Sequence, residues 1–186
     1  MSRKIPEAVK ARIRSSARHR CGYCLAQQRY TLLVLEIEHI IAKAKGGTDE
    51  EWNLWLACRL CNNAKGIQTH ARDPLTGKRV KLFNPRTQRW CRHFKWTEDG
   101  VEIIGRTAIG RATVVALSLN NETALVVRRN WVRAGWHPPA KRRRTRRRRQ
   151  WKLDPKARAK ARAGNQAHIA AHRQCDQKSP RRRADP

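Results

Sequence analysis

Acidic residues are scarce in this chain of 186. Only 14 Asp and Glu stand against 43 Lys and Arg, which gives a formal charge of +29 and a pI near 11.5. So large an excess goes beyond what solubility needs and implies attraction to a polyanion, nucleic acid first. Long apolar runs are missing too, which argues against a membrane-spanning helix, and the start Met1-Ser-Arg-Lys-Ile-Pro6 lacks the apolar core of a secretory signal. The expectation is a soluble cytoplasmic chain with no membrane partner. Large apolar residues thin out beyond residue 140, where 18 Lys and Arg meet 3 acids, a balance of +15 against +14 for residues 1–140. Such a segment cannot bury enough apolar surface to fold alone, so 138–186 is expected to be a disordered arginine-rich tail. Roughly 135 residues then remain to fold, enough for one domain or a domain with an appendage.

Six cysteines are present, and four fall in two C-x-x-C pairs, Cys21-Gly-Tyr-Cys24 and Cys58-Arg-Leu-Cys61. In a reducing compartment such pairs read as metal ligands rather than disulfides, and four thiolates form a closed tetrahedral zinc site. The 33 residues between Cys24 and Cys58 exceed the usual ribbon interval of about 15–20. Cys91 and Cys175 read as ordinary thiols, and His93, between aromatic neighbours, as a packed histidine.

Spacing along the chain predicts a mixed α+β fold. Ile5, Val9 and Ile13 recur every four residues behind Pro6, a short helix through about Arg18. Tyr30 to Ile41 is rich in β-branched and aliphatic residues and reads as a strand with Glu38 and His39 near its end. Gly46-Gly47 turns the chain, Thr48-x-x-Glu51 has the form of a capping box that would present Asn53, and Leu60 to about His70 reads as a helix. Asp73 to Gly77 is a turn; Phe94–Trp96 and Val101–Ile104 form a hairpin; helices follow over Thr107–Leu119 and Glu122–Trp136, the second capped by Asn121. The domains expected are 1–72, 73–137 and the tail 138–186.

The order Glu38-His39, Gly46-Gly47, Asn53-Leu54, Cys58-x-x-Cys61-Asn62-x-x-Lys65-Gly66 resembles the zinc-containing branch of the HNH endonuclease family. That resemblance implies a ββα-metal module, a β-hairpin followed by a helix, with zinc held by Cys21, Cys24, Cys58 and Cys61. It assigns the general base to His39, a divalent cation to Glu38 and Asn62, and a supporting place to Asn53. The chain departs from the family at Asn62, where histidine is frequent, at Glu38, where aspartate is, and at Ile41-Ala42, where proline is common. Residues 73–137 resemble an extension found behind the module in bacterial members.

Phosphodiester cleavage needs a deprotonated water, a cation for the developing charge and positive surface for the backbone. Histidine titrates nearest neutrality, so His39 suits the first task. A carboxylate and an amide oxygen are hard ligands, which favours Mg²⁺ or Mn²⁺ for the second. Lys65, Arg142, Arg143, Arg144 and Arg146, Arg147, Arg148 and Arg149 are the expected backbone contacts. The expected function is a metal-dependent endonuclease acting on DNA, with RNA or a nucleoprotein complex as other partners. Two further classes stand beside it: a basic zinc-ribbon protein that binds nucleic acid without cutting, and an accessory nuclease subunit whose target a nucleoprotein partner selects.

Overall fold

The computed structural model describes residues 5–139; the arginine run Arg142–Arg149 and Cys175 lie outside the described residues. The Pro6 carbonyl accepts from the amides of Val9 and Lys10 and so opens helix α1 (Glu7–Ser16). Ile13 is fully buried and faces Leu54 and Leu56, while Lys10 and Arg14 both reach back to Glu7 on the open side.

The expected strand over 30–41 shrinks to β1 (Glu36–His39). Side chains take over the backbone upstream of it: the Gln28 amide donates to Thr31 Oγ1 and the Leu33 carbonyl, and its oxygen accepts from the Leu35 amide. These local bonds satisfy groups that a ladder would otherwise hold, and Leu32, Leu33 and Val34 are left exposed. β1 pairs antiparallel with β2 (Leu54–Ala57), with Ile37 opposite Leu56 and His39 opposite Leu54. The expected capping box does not form either. Glu51 turns instead to Arg12 and Arg86, and a single 3-10 turn over Glu51–Asn53 follows Glu50.

Helix α2 (Arg59–Lys65) starts directly after Cys58. It ends five residues short of the expected His70 because Gly66 adopts φ 48°, ψ −126°, a conformation side-chain-bearing residues rarely enter. The chain then forms a second ribbon, β3 (His70–Arg72) with β4 (Arg79–Lys81), around a turn in which Asp73 accepts from Thr76 and takes both arms of the Arg111 guanidinium at 2.8 Å. A short helix α3 (Trp90–His93) leads into the third ribbon, β5 (Phe94–Trp96) with β6 (Ile103–Gly105). Helices α4 (Ala108–Ala116) and α5 (Glu122–Arg133) close the fold, capped by the side chains of Thr107 and Asn121. Buried Arg128 of α5 donates to the carbonyls of Val101, Leu119 and Ala124, which fastens the helix to the β5–β6 ribbon.

The result is a mixed α+β architecture in which β1, β2 and α2 follow one another in ββα order. One apolar cluster crosses residue 72: Cys21, Tyr23 and Cys61 pack with Phe83, Phe94, Ile103, Leu117 and Leu119. A side chain in the second half therefore supports the first. Phe94→Ala is expected to cost about 3–5 kcal/mol, and circular dichroism and tryptophan fluorescence should report one coincident unfolding transition; two separated transitions would mean that the halves fold independently.

Candidate metal centre and active site

Two turns bring the four cysteines together. The Cys21 amide donates to the Ala26 carbonyl and the Leu25 amide to the Cys21 carbonyl, with Leu25 at φ 59°, which curls the first pair into a knuckle. The second pair opens α2, so Cys58 precedes the helix and Cys61 lies one turn into it. All four sulfurs lie within 4.8 Å of one another, and those of Cys24 and Cys58 are 3.7 Å apart. Zinc with sulfur at about 2.3 Å in tetrahedral array separates the sulfurs by about 3.8 Å, so the donor set fits the ion. Burial pushes the Cys21 thiol up, while S–H groups of the neighbouring cysteines draw Cys58 down towards the thiolate. A cation is what lets all four deprotonate in one enclosed space.

Strand alternation sorts β1 into two faces. Ile37 packs with Leu54 and Leu56 towards α1, whereas Glu36 and Glu38 point towards α2. Glu38 is 2 % exposed, and both its oxygens are engaged: the Tyr23 hydroxyl donates to each at 3.0 and 2.9 Å, and Lys65 Nζ sits 2.8 Å from Oε1. Burial, then the Glu38 charge, push the Tyr23 phenol up and keep it a donor. Asn62, three residues before Lys65 on α2, meets the other carboxylate: its Nδ2 donates to Glu36 Oε2 at 2.7 Å. The structure thus brings Asn62 to Glu36 and not to Glu38.

Lys65 requires a correction. Sequence placed it on the nucleic-acid backbone, but at 2 % exposure it is enclosed, and besides Glu38 it donates to the His39 carbonyl at 2.8 Å. An ammonium committed there cannot reach an external phosphate.

His39, at the end of β1, keeps 21 % of its side chain exposed. Its Nε2 lies 2.7 Å from Asp49 Oδ1, and the other Asp49 oxygen accepts from Lys43 at 2.8 Å. Lys43 first and His39 second hold the Asp49 carboxyl below the usual carboxylate range. Asn53 is fully buried and closes the loop that carries Asp49: its Oδ1 accepts from the Ile41 amide, and its Nδ2 donates to the carbonyls of Ile41 and Thr48. Gly47 allows that closure, since a Cβ there would stand 1.7 Å from the Ile41 carbonyl oxygen. Cys91 is exposed and free, and His93 packs against Phe83 with Nδ1 2.8 Å from Thr107 Oγ1.

Sequence reasoning missed Asp49, Glu36 and Tyr23. Two had a readable signal: Glu36 shares the face of Glu38 by the two-residue period, and Asp49 follows the glycine turn that folds the chain back on His39. Tyr23 had none, being fifteen residues from its partner.

Residues 21–68 match the HNH endonuclease family. No curated protein and no solved structure matches the chain significantly. The HNH segment takes in both cysteine knuckles, the β1–β2 hairpin and α2, the elements that carry Tyr23, Glu36, Glu38, His39, Asn62 and Lys65. A nuclease-type function on nucleic acid is the class this match supports.

Two outcomes test the geometry. Cys58→Ser should release zinc, read by a chromogenic chelator, and melt the fold; a full zinc equivalent with unchanged melting would overturn the four-cysteine site. Lys65→Met should cost about 3–5 kcal/mol, because it strands a buried carboxylate, and a loss under 1 kcal/mol in urea unfolding would show that Glu38 is not enclosed as described.

Proposed function

We propose that the chain is a metal-dependent endonuclease that hydrolyses phosphodiester bonds of DNA, with His39 as general base. The observation that carries this reading is the His39–Asp49 contact at 2.7 Å, on an imidazole that remains open to solvent at the end of the HNH strand. A carboxylate that accepts from Nε2–H fixes the tautomer and leaves Nδ1 as the acceptor for a proton from water. Asn53 holds the loop that presents Asp49, and Lys65, by donating to the His39 carbonyl, holds the backbone of the base itself. Three separate bonds thus orient one ring before substrate arrives.

Asn62 with the carboxylates on its side of β1 would hold a divalent cation, Mg²⁺ or Mn²⁺. Glu36 is already within 2.7 Å of the Asn62 amide, and rotation of that amide would present its oxygen. Glu38 would join by exchanging the Lys65 ammonium for the ion, one cation for another. When bound, the ion would neutralise charge on the scissile phosphate and the leaving oxygen. The excess of 43 basic over 14 acidic residues supplies the attraction for the backbone, the tail arginines included.

A second reading rests on the same Glu38. With both oxygens engaged by Tyr23 and Lys65, the carboxylate is a structural anchor, and the chain would then be a basic zinc protein that binds nucleic acid without cutting it.

Cleavage of supercoiled plasmid with Mg²⁺ or Mn²⁺ separates the two. His39→Ala is expected to lower turnover by about 10²–10⁴-fold with binding nearly intact, and Asp49→Asn to lower it less, at unchanged KM. Wild-type turnover in His39→Ala would remove the base assignment, and absence of cation-dependent nicking by the wild-type chain would favour the binding protein.

A further inference from the structure

The β3–β4 ribbon carries its charges on one side. Register sets His70 opposite Lys81 and Arg72 opposite Arg79, while Ala71 and Val80, opposite each other, take the alternate face. Ala71 packs against the core, and α4 lies against both strands. The other face is therefore a two-by-two grid of His70, Arg72, Arg79 and Lys81, extended at the turn by Lys78. Arg72, Lys78, Arg79 and Lys81 are all exposed.

Like charges directly across a ribbon destabilise it, and no acid among the described residues offsets them here. Elsewhere in the described residues acids are placed against bases: Glu7 on Lys10 and Arg14, Asp49 on Lys43, Glu51 on Arg12 and Arg86. The acid inside the ribbon, Asp73, is fully buried and bonded through both oxygens to Arg111. No ion pair forms at Arg72, Lys78, Arg79 or Lys81 among the described residues; the Arg72 guanidinium donates only to the Gly77 carbonyl, within its own turn. The positive field reaches His70, whose imidazole is held below its ordinary pKa by burial first and then by Arg79 and Lys81. A ribbon that places four uncompensated cations beside a histidine is built for an anion that comes from outside.

We infer that the exposed face of the β3–β4 ribbon is a docking surface for the phosphate backbone of duplex DNA, contacted by Arg72, Lys78, Arg79 and Lys81. The inference rests on the reading that the chain acts on DNA and adds to it a site within the folded part. Contacts of this kind position a duplex without reading its sequence. The ribbon follows α2 by four residues, so the helix that presents Asn62 and the surface that holds the backbone are joined by a short, direct connection.

The test is the salt dependence of binding to a mixed-sequence DNA duplex, with the full zinc-loaded chain and no added Mg²⁺. The triple variant R72Q/R79Q/K81Q is expected to melt at or above the wild-type temperature, since repulsion is relieved, and to flatten the slope of log K against log salt by about 2–3, near 0.9 for each lost phosphate contact. A control with the same charge removed from exposed positions outside the ribbon, K95Q/R129Q/R133Q, is expected to change the slope by less than one. Equal changes in the two variants, or an unchanged slope in the ribbon variant, would overturn the proposal. Should the triple variant not fold, R79Q/K81Q carries the same test at an amplitude of about 2. Binding is read apart from cleavage: a ribbon effect in a chain that never nicks plasmid leaves this surface standing and removes the nuclease reading.

Discussion

A carboxylate sealed from water must be matched on every side, and Glu38 is where this fold meets that demand. Its partners come from three places: Tyr23 from the first cysteine knuckle, Lys65 from the last turn of α2, and, through Lys65, the backbone of His39. The desolvation of a buried ion pair is repaid only when geometry is tight and the remaining hydrogen-bonding groups are satisfied, so the three elements are obliged to keep their relative places. The pair is thereby a positional constraint on the strand that ends in His39 more than a source of stability.

The four-cysteine cluster and the shared core act on the same elements from outside. The knuckles pin the start of α2 and the turn that carries Tyr23, while Phe83, Phe94 and Leu117 cover them from the second half of the chain. Formation of the four-thiolate centre is thus coupled to burial of the apolar cluster and to closure around Glu38. The loop that holds Asp49 is closed by a different means, the three hydrogen bonds of Asn53.

Much of this was legible in the residues. The two cysteine pairs, the hairpin-then-helix order, helix α1 and the Asn121 cap each rest on local spacing or on one side chain bonding to nearby backbone, and those rules work over a few residues. The rest turned on partners far along the chain. Whether Glu36 or Glu38 meets Asn62 is set by how α2 lies on β1, 26 residues separating Glu36 from Asn62. Lys65 looked like a surface base because its periodicity says nothing about a carboxylate waiting beneath it. The strand over 30–41 was shortened by Gln28, whose side-chain amide replaces ladder bonds that β-propensity takes for granted.

Helix α2 also has a phase. Its first turn is fixed by Cys58 and Cys61, and its remaining residues point wherever 100° per residue carries them from those two anchors. Asn62 and Lys65 reach the carboxylate face of β1 only at that angle. Insertion of one residue between Cys61 and Asn62 would leave the four cysteines as they are, yet swing both side chains about a quarter-turn away from Glu36 and Glu38. The cysteine cluster therefore serves as the index mark from which the rotation of the helix is measured.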